Sequence, residues 1–165
     1  MLAAIVAVDE NWGIGRNGDL LINIPEDKKF FKAKTNGSIV IMGRKTWDSL
    51  LKKPLPNRKN YVISKSQKHV NGVDFISMDS AIELIQNEDS DIFIIGGGQI
   101  YEKLLPYCEK VFVTKIYKSF ESDTFFPNIE EDNTWKCVES GDIQYYQSIP
   151  YEFLTYKNRK KQEDF

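Results

Sequence analysis

Short apolar runs alternate with stretches of helical spacing through the first two thirds of this chain. Runs rich in Val, Ile and Phe recur at Leu2–Val8, Ile39–Met42, Tyr61–Ser64, Val73–Ile76, Ile92–Ile95 and Val111–Tyr117, and they read as strands. Between several of them, Pro25–Thr35, Arg44–Leu51, Asp79–Gln86 and Gly98–Leu105 have the spacing of helices. Strand and helix in alternation predict an α/β fold with a parallel or mostly parallel sheet covered by helices. In the last third, Thr134–Ser140 and Tyr151–Tyr156 are strand-like, with turn signals at Asn133, Gly141, Asp142 and Pro150 and no helix between them. They predict an antiparallel pair added to the sheet edge. The tail Lys157–Phe165 reads as a solvated, charged end.

Composition narrows the function classes. At 165 residues, with no internal repeat, low-complexity linker or break in composition, one domain spanning 1–165 and one site are expected. Lys and Arg number 22 and Asp and Glu 24, a formal net charge of -2, which argues against nucleic acid or an anionic membrane as the main partner. The apolar run LAAIVAV is too short for a membrane span and lacks the basic flank of a signal peptide. Cys108 and Cys137 are far apart, and the single histidine, His69, sits in a polar stretch, so neither a zinc site nor a Cys-His nucleophile is expected. The cysteines read as reduced, half-buried thiols and His69 as a loop side chain, in keeping with a reducing cytoplasm.

One acidic residue sits where an acid is unusual. Pro25 opens a helix with Glu26 and Asp27 in its first turn, where negative charge suits the helix dipole. At about 100° per residue, Asp27 points the same way as Phe30 and Phe31, while Lys29 and Lys32 point elsewhere. Two readings are open: an acid that merely completes a helix start, or a carboxylate on the core face that grips a polar, nitrogen-rich ring beside Phe30 or Phe31.

The glycines separate into a misleading pattern and an informative one. GIGRNG at Gly13–Gly18 spells a dinucleotide fingerprint, but no strand runs straight into it and no helix starts from it. The 9–24 segment reads better as a glycine-punctuated loop, either a flap over a site or plain surface. IIGGGQIY, by contrast, is an apolar strand ending in Gly96, Gly97 and Gly98 and entering a helix near Gln99, where bare backbone and free N–H groups suit a pyrophosphate. IVIMGRKTW repeats the logic at Gly43, with Arg44, Lys45 and Thr46 opening a second helix, and Ser64 with Lys65 offers a further phosphate contact.

AIVAVDENWGIG, NIPEDKKFFK, VIMGRKTW, PLPNRKNYVIS, IIGGGQIYEKLLP, then VTKIY and DTFFP, in that order, resemble dihydrofolate reductase of the bacterial single-domain type. The match runs in register from Leu2 to about Pro127, and six motifs in one order are very specific. The resemblance implies a three-layer fold: a mixed, mostly parallel eight-stranded sheet flanked by four helices, with C-terminal antiparallel strands. It also implies NADPH-dependent reduction of dihydrofolate to tetrahydrofolate for one-carbon metabolism, antifolate inhibitors as further ligands, and a cytoplasmic monomer. Asp27 would be the catalytic acid of the pterin pocket, backed by Thr114. Ile5, Val6 and Ala7 would line that pocket, Phe31, Leu50 and Leu55 would pack the aminobenzoyl ring, and Arg58 would pair with the glutamate carboxylate. For NADPH, the matching positions are Ala7, Ile14, Gly15, Asn17, Gly18, Asp19, Leu20, Gly43, Arg44, Lys45, Thr46, Ser64, Lys65, Ile95, Gly96, Gly97, Gly98, Gln99, Ile100 and Tyr101. A cis peptide between Gly96 and Gly97 is implied as well.

The sequence departs from the family pattern at three places. Leu21 and Ile22 replace a Pro-Trp pair and remove an indole donor near the pterin; Lys28 stands where an apolar residue is common; Gln99 replaces a frequent arginine near the adenosine phosphate. Two rival readings differ in class: a reductase of this fold acting on another heterocycle, such as a pyrimidine of riboflavin synthesis, and a catalytically silent module that binds nucleotide or sequesters antifolates. The paired PEDxxFF and PLPxRK signals oppose the first, and retention of Asp27 and Thr114 opposes the second.

Overall fold

The structure, a computed structural model, describes residues 1–66 and 69–161. In chain order the elements are β1 (Leu2–Val8), β2 (Gly13–Gly15), α1 (Pro25–Thr35), β3 (Ile39–Gly43), α2 (Arg44–Ser49), β4 (Lys59–Ile63), β5 (Val73–Ile76), α3 (Met78–Asn87), β6 (Ile92–Gly96), α4 (Gly98–Leu104), β7 (Lys110–Ile116), β8 (Thr124–Phe125), β9 (Trp135–Ser140), β10 (Gln144–Tyr146) and β11 (Ile149–Asn158). Eight strands follow one path, β10-β11-β7-β1-β6-β3-β4-β5, as expected for this fold class. The six strands from β7 to β5 pair in parallel, and β11 runs antiparallel to β7. The short strands β9 and β10 take successive stretches of the other edge of β11, β9 along Leu154–Asn158 and β10 along Ile149–Tyr151.

The hydrophobic pattern explains the layering. β1 lies between two parallel neighbours and is apolar throughout, so both of its faces can be covered. Ala3 and Ile5 point into a core with Val40, Met42, Trp47 and Phe112 on the side of α1 and α2. Leu2, Ala4, Val6 and Val8 point the other way, into the larger core with Ile41, Ile94, Tyr101 and Leu104 on the side of α3 and α4. A third cluster, around Ile24, Ile116 and Tyr151, closes the carboxyl ends of β1 and β7.

The bounds of β1, α1 and β5 coincide with the sequence expectation, those of the other expected elements shift by one or two residues, and three short strands, β2, β8 and β10, were not legible in it. The tail was misread at its start. Lys157 and Asn158 continue β11, and Asn158 is buried with its Nδ2 donating to the Cys108 carbonyl at 3.0 Å. Arg159–Lys161 form an exposed turn, and 162–165 lie outside the described residues. The cysteines also differ from expectation. Cys108 is fully buried, with burial pushing its thiol up to about 12, whereas Cys137 is exposed on β9. Among the described residues no helix is long and apolar enough to cross a membrane, and no group of His, Cys, Asp and Glu could hold a metal ion.

Candidate active site

Asp27 sits in the first turn of α1, a helix opened by Pro25 and lacking any side-chain cap. It is half-buried, and its Oδ1 accepts a 2.5 Å hydrogen bond from the Thr114 hydroxyl of β7. Burial raises the carboxyl pKa above its ordinary value, and the Thr114 bond offsets part of that rise. Thr114 is itself buried and pairs in register with Ala7 on one side and Phe153 on the other, so three strands fix the donor. Asp27 thus faces the sheet, with one side-chain donor.

The two phenylalanines of α1 have different jobs. Phe30 stacks on Phe153 with ring centres 4.4 Å apart and also packs against the core on the side of α1 and α2. Phe31 packs into the α1 and α2 core with Leu50 and Leu55, and the Arg58 guanidinium lies 6.0 Å from its ring centre. Arg58 is held by two bonds, from Nε to the Pro56 carbonyl (2.8 Å) and from Nη1 to the hydroxyl of buried Thr35 (3.0 Å). Burial lowers its pKa, but a guanidinium keeps its charge. Buried Asn60 fastens the PLPNR loop: its Oδ1 accepts from the Leu55 N–H, and its Nδ2 donates to the Leu55 and Arg58 carbonyls. Sequence reasoning passed over Asn60. Its signal was an asparagine at the head of an apolar strand, which must find partners once buried.

On β1, Ile5 and Ala7 face the α1 side, but the Val6 side chain belongs to the opposite core, so only its backbone can border the cleft. The Ile5 carbonyl accepts from the Tyr101 hydroxyl at 2.7 Å, and burial raises the pKa of that phenol. Ile22 packs with Ile24, Ile116 and Tyr151, filling an apolar corner where the family pattern has an indole. Phe153 and Tyr151, which floor this end, went unnoticed in the sequence because only the β7–β11 register brings them to Asp27.

Ala7, Gly43, Ser64 and Gly96 lie at or just beyond the carboxyl ends of β1, β3, β4 and β6, the edge where ligands enter sheets of this kind. Arg44 donates to Asp48 at 3.2 Å and to the Ser66 hydroxyl at 3.3 Å, and Ser64 and Ser66 are hydrogen-bonded. Lys45 and Lys65 are exposed beside them, as is Gln99 on α4, while Thr46 lies against Gly96 and Gly97. Neither α2 nor α4 has a side-chain cap, so their first N–H groups stay free for an anion. The Gly96–Gly97 peptide is cis, as the resemblance implied. The glycine triplet also has reasons internal to the fold: Gly96 adopts φ +126°, and a Cβ on Gly98 would stand 2.7 Å from the Thr124 methyl. Ile95 packs on the α1 side of the sheet, and Ile100 and buried Tyr101 on the other.

The 9–24 segment is tied down more firmly than a plain loop. Within it, β2 pairs with β8, and buried Asp9 accepts from the N–H groups of Asn11, Gly13 and Phe120. Trp12 is buried in the main core, and Ile14 packs against it. Gly15 accepts from the Asp123 N–H and Asn17 donates to the Asp123 carboxylate; Asn17 and Gly18 form a turn closed by the Arg16–Asp19 bridge, and Gly18, Asp19 and Leu20 are exposed. A groove of about 500 Å³ between α3 and the β4–β5 edge includes none of the residues expected to bind ligand.

The chain as a whole is similar to known proteins. The family model described as dihydrofolate reductase matches residues 1–158. A dihydrofolate reductase of Bacillus subtilis is 38% identical over 162 residues, covering 96% of this chain and 95% of the relative. A viral dihydrofolate reductase of Saimiriine herpesvirus 2 is 38% identical over 183 residues, covering 95% and 84%. Among solved structures, dihydrofolate reductase from Enterococcus faecalis complexed with NADP(H) and RAB-propyl superposes with a TM-score of 0.86 at 32% identity, covering 96% of each chain. With a family model matching residues 1–158 and a relative 38% identical over 96% of the chain, the chain belongs to the dihydrofolate reductase family.

Proposed function

We propose that this chain reduces 7,8-dihydrofolate to 5,6,7,8-tetrahydrofolate, with Asp27 as the acid of the pterin pocket. The observation that carries the reading is the Asp27–Thr114 pair: a half-buried carboxylate with a raised pKa, held by a single hydroxyl, needs further N–H donors on its open side. A pterin offers an amino group and an adjacent ring nitrogen in the spacing of two carboxylate oxygens. Ile5, Ala7 and the Val6 backbone border the ring, Phe31, Leu50 and Leu55 hold the aminobenzoyl group, and Arg58 receives the glutamate carboxylate as a planar fork already fixed by Thr35 and Pro56.

The other half of the cleft suits NADPH. Uncapped helix starts at α2 and α4, the cations Arg44, Lys45 and Lys65 and the hydroxyls of Ser64 and Thr46 form a donor set fit for its phosphates. When bound, NADPH supplies hydride from its nicotinamide C4 to C6 of the pterin. The chain's own share is orientation, exclusion of water by the 9–24 segment, and proton delivery. Asp27, its pKa raised by burial, polarises a water that protonates N5. In this reading the chain works as a single-domain monomer in the cytoplasm, with Cys108 and Cys137 as free thiols.

The test is loss of NADPH absorbance on adding dihydrofolate, repeated with NADH because Gln99 leaves discrimination to Arg44, Lys45 and Lys65. The wild type turns over with NADPH, and Asp27→Asn loses about 10²- to 10⁴-fold in turnover while still binding NADPH. Wild-type rates in that variant would remove Asp27 from the mechanism.

A further inference from the structure

Three rings stand in a row on the side of Asp27 that faces β11. Phe30 stacks on Phe153 at 4.4 Å, and Phe153 meets Tyr151 edge-on at 5.8 Å. The register of the sheet brings this row to the carboxylate. Phe153 is the partner of Thr114 across β7 and β11, so its ring leaves the sheet on the same face as the hydroxyl that donates to Asp27. Phe30 is one helical turn on from Asp27, at i+3, and lies on the same flank of α1. Tyr151, two residues before Phe153 and on the same face of β11, packs with Ile22, Ile24 and Ile116. Ile22 thus extends the apolar surface where the family pattern has an indole donor.

No side chain of this row donates to Asp27: the Tyr151 hydroxyl is directed to Gln144 of β10 at 3.3 Å, and the remainder is carbon. Nor do nearby charges act in their place. Glu26 pairs with Lys29, while Lys28, Lys32 and Lys34 are exposed, Lys34 with its ammonium 5.7 Å from the centre of the Phe30 ring. Lys115 of β7 and Glu152 of β11 adjoin Thr114 and Phe153 in the chain and therefore point to the opposite face of the sheet. Tyr151, and Tyr101 across the sheet on α4, are phenols that burial keeps neutral. What the row does to Asp27 is exclude water from it.

Resting on the reading of the cleft as a dihydrofolate site, we propose that the Phe30–Phe153 stack seals the β11 side of Asp27 against water, so that the proton bound for N5 enters from the cleft alone, with Phe153 as the positioning residue that holds the seal. Phe153 does no chemistry of its own. Its ring is fixed between Phe30 and Tyr151 and its backbone by the pairing to Thr114, so one cross-strand pair sets both the donor and the seal. Removing either ring of the stack lets water reach the carboxylate from behind, which favours the ionised form. Turnover rises as pH falls toward the Asp27 pKa, so loss of the seal costs rate on the alkaline limb and spares the acid plateau.

Two measurements on Phe153→Ala and Phe30→Gln test the seal. The first is the NMR titration of the Asp27 carboxyl in protein isotope-labelled at aspartate, which needs neither ligand nor turnover. In both variants Asp27 ionises at lower pH than in the wild type. The second is the pH profile of kcat/KM for dihydrofolate with NADPH: the acid plateau stays within about twofold, and the alkaline limb falls about tenfold, as a displacement of one pH unit requires. Phe153→Leu, which keeps an apolar side chain in place, returns most of the wild-type profile. Phe75→Ala removes a ring packed on Trp47 and lowers stability in urea without moving either readout. Phe30 is half-buried on α1, so Phe30→Gln keeps the test available if Phe153→Ala does not fold. An unmoved titration in the folded variants overturns the proposal, and so does a shift that Phe75→Ala reproduces. If dihydrofolate is reduced and the two rings prove inert, the seal alone fails. If the titration moves but the wild type does not reduce dihydrofolate, the dihydrofolate reading fails and takes the proton route with it.

Discussion

Two aspartates of this chain lie at opposite extremes of satisfaction. Asp9, at the end of β1, is fully buried, and both its oxygens are occupied: Oδ1 by the N–H groups of Asn11 and Gly13, Oδ2 by that of Phe120. Asp27, on α1, is less buried and has one donor, the Thr114 hydroxyl. Burial alone would choose Asp9 as the reactive carboxylate. Counting donors chooses Asp27, because a carboxylate with open lone pairs in a desolvated cleft still has a ligand to bind or a proton to hold. Asp9 spends its charge on fixing the course of the 9–24 segment against Phe120.

Substituting each aspartate sharpens the contrast, and the largest effect is on catalysis. Asp27→Asn removes the acid, so turnover falls by about two to four orders of magnitude. Stability moves the other way. The folded pKa of Asp27 lies above its unfolded value of 3.8, so its favourable contribution is fully present below that pH and is lost as pH rises through the folded pKa. The asparagine variant therefore unfolds at urea concentrations no lower than the wild type at neutral pH, and its stability profile lacks that step. In the wild type, turnover should rise as pH falls toward the Asp27 pKa, and the variant's profile should be flat there. A variant that loses activity together with stability would make Asp27 a structural residue like Asp9.

Asp9→Ala gives the mirror image. Three N–H groups lose their acceptor, at a cost on the order of 3 to 5 kcal/mol in urea unfolding. Whatever folded variant remains should keep the pH dependence that belongs to Asp27. Disappearance of that dependence would tie the two carboxylates into one unit.

The difference between the two acids was half legible in the sequence. The angular position of Asp27 beside Phe31, together with the Pro25 start, pointed to a facing acid because helical geometry is local. Thr114 came only from the resemblance, since its approach to Asp27 depends on β7 lying next to β1, a pairing across more than a hundred residues. The Asp9 anchor had no sequence reading at all: VDEN looks like the polar end of a strand until Phe120 arrives. The central strands were readable because both faces are apolar, while β2, β8 and β10 are two or three residues long and exist through pairing alone. Lys157 and Asn158 were misjudged for the same reason, as β11 is prolonged by β9 and by β7 and not by its own apolarity.

Thr114→Val asks how much the single donor matters. The hydroxyl lowers the Asp27 pKa against the rise caused by burial, so its loss moves the pKa further up and displaces the pH–rate profile to the alkaline side. A decrease of about tenfold in kcat/KM is expected, because the carboxylate also loses the contact that aims it. An unmoved profile would mean that water replaces the hydroxyl fully.

The smallest expected effect concerns a cation. Lys115 is buried next to Thr114 on β7, and its ammonium lies 4.1 Å from the centre of the Trp12 ring, in the segment that Asp9 anchors. Burial lowers its pKa, with Glu130, Asp9 and Glu10 acting in the opposite sense. A depressed lysine pKa means that stability is gained only as pH rises toward the unfolded value of 10.5, and at neutral pH the charged form bears its desolvation cost. Lys115→Met keeps the length and the contact with the indole while removing both that cost and the cation–π attraction. The two effects nearly cancel, so unfolding in urea should change by less than about 1 kcal/mol at neutral pH. A loss several times larger would show that the ammonium helps Asp9 hold the 9–24 segment, and would make the anchor an ion-assisted one instead of a set of backbone donors alone.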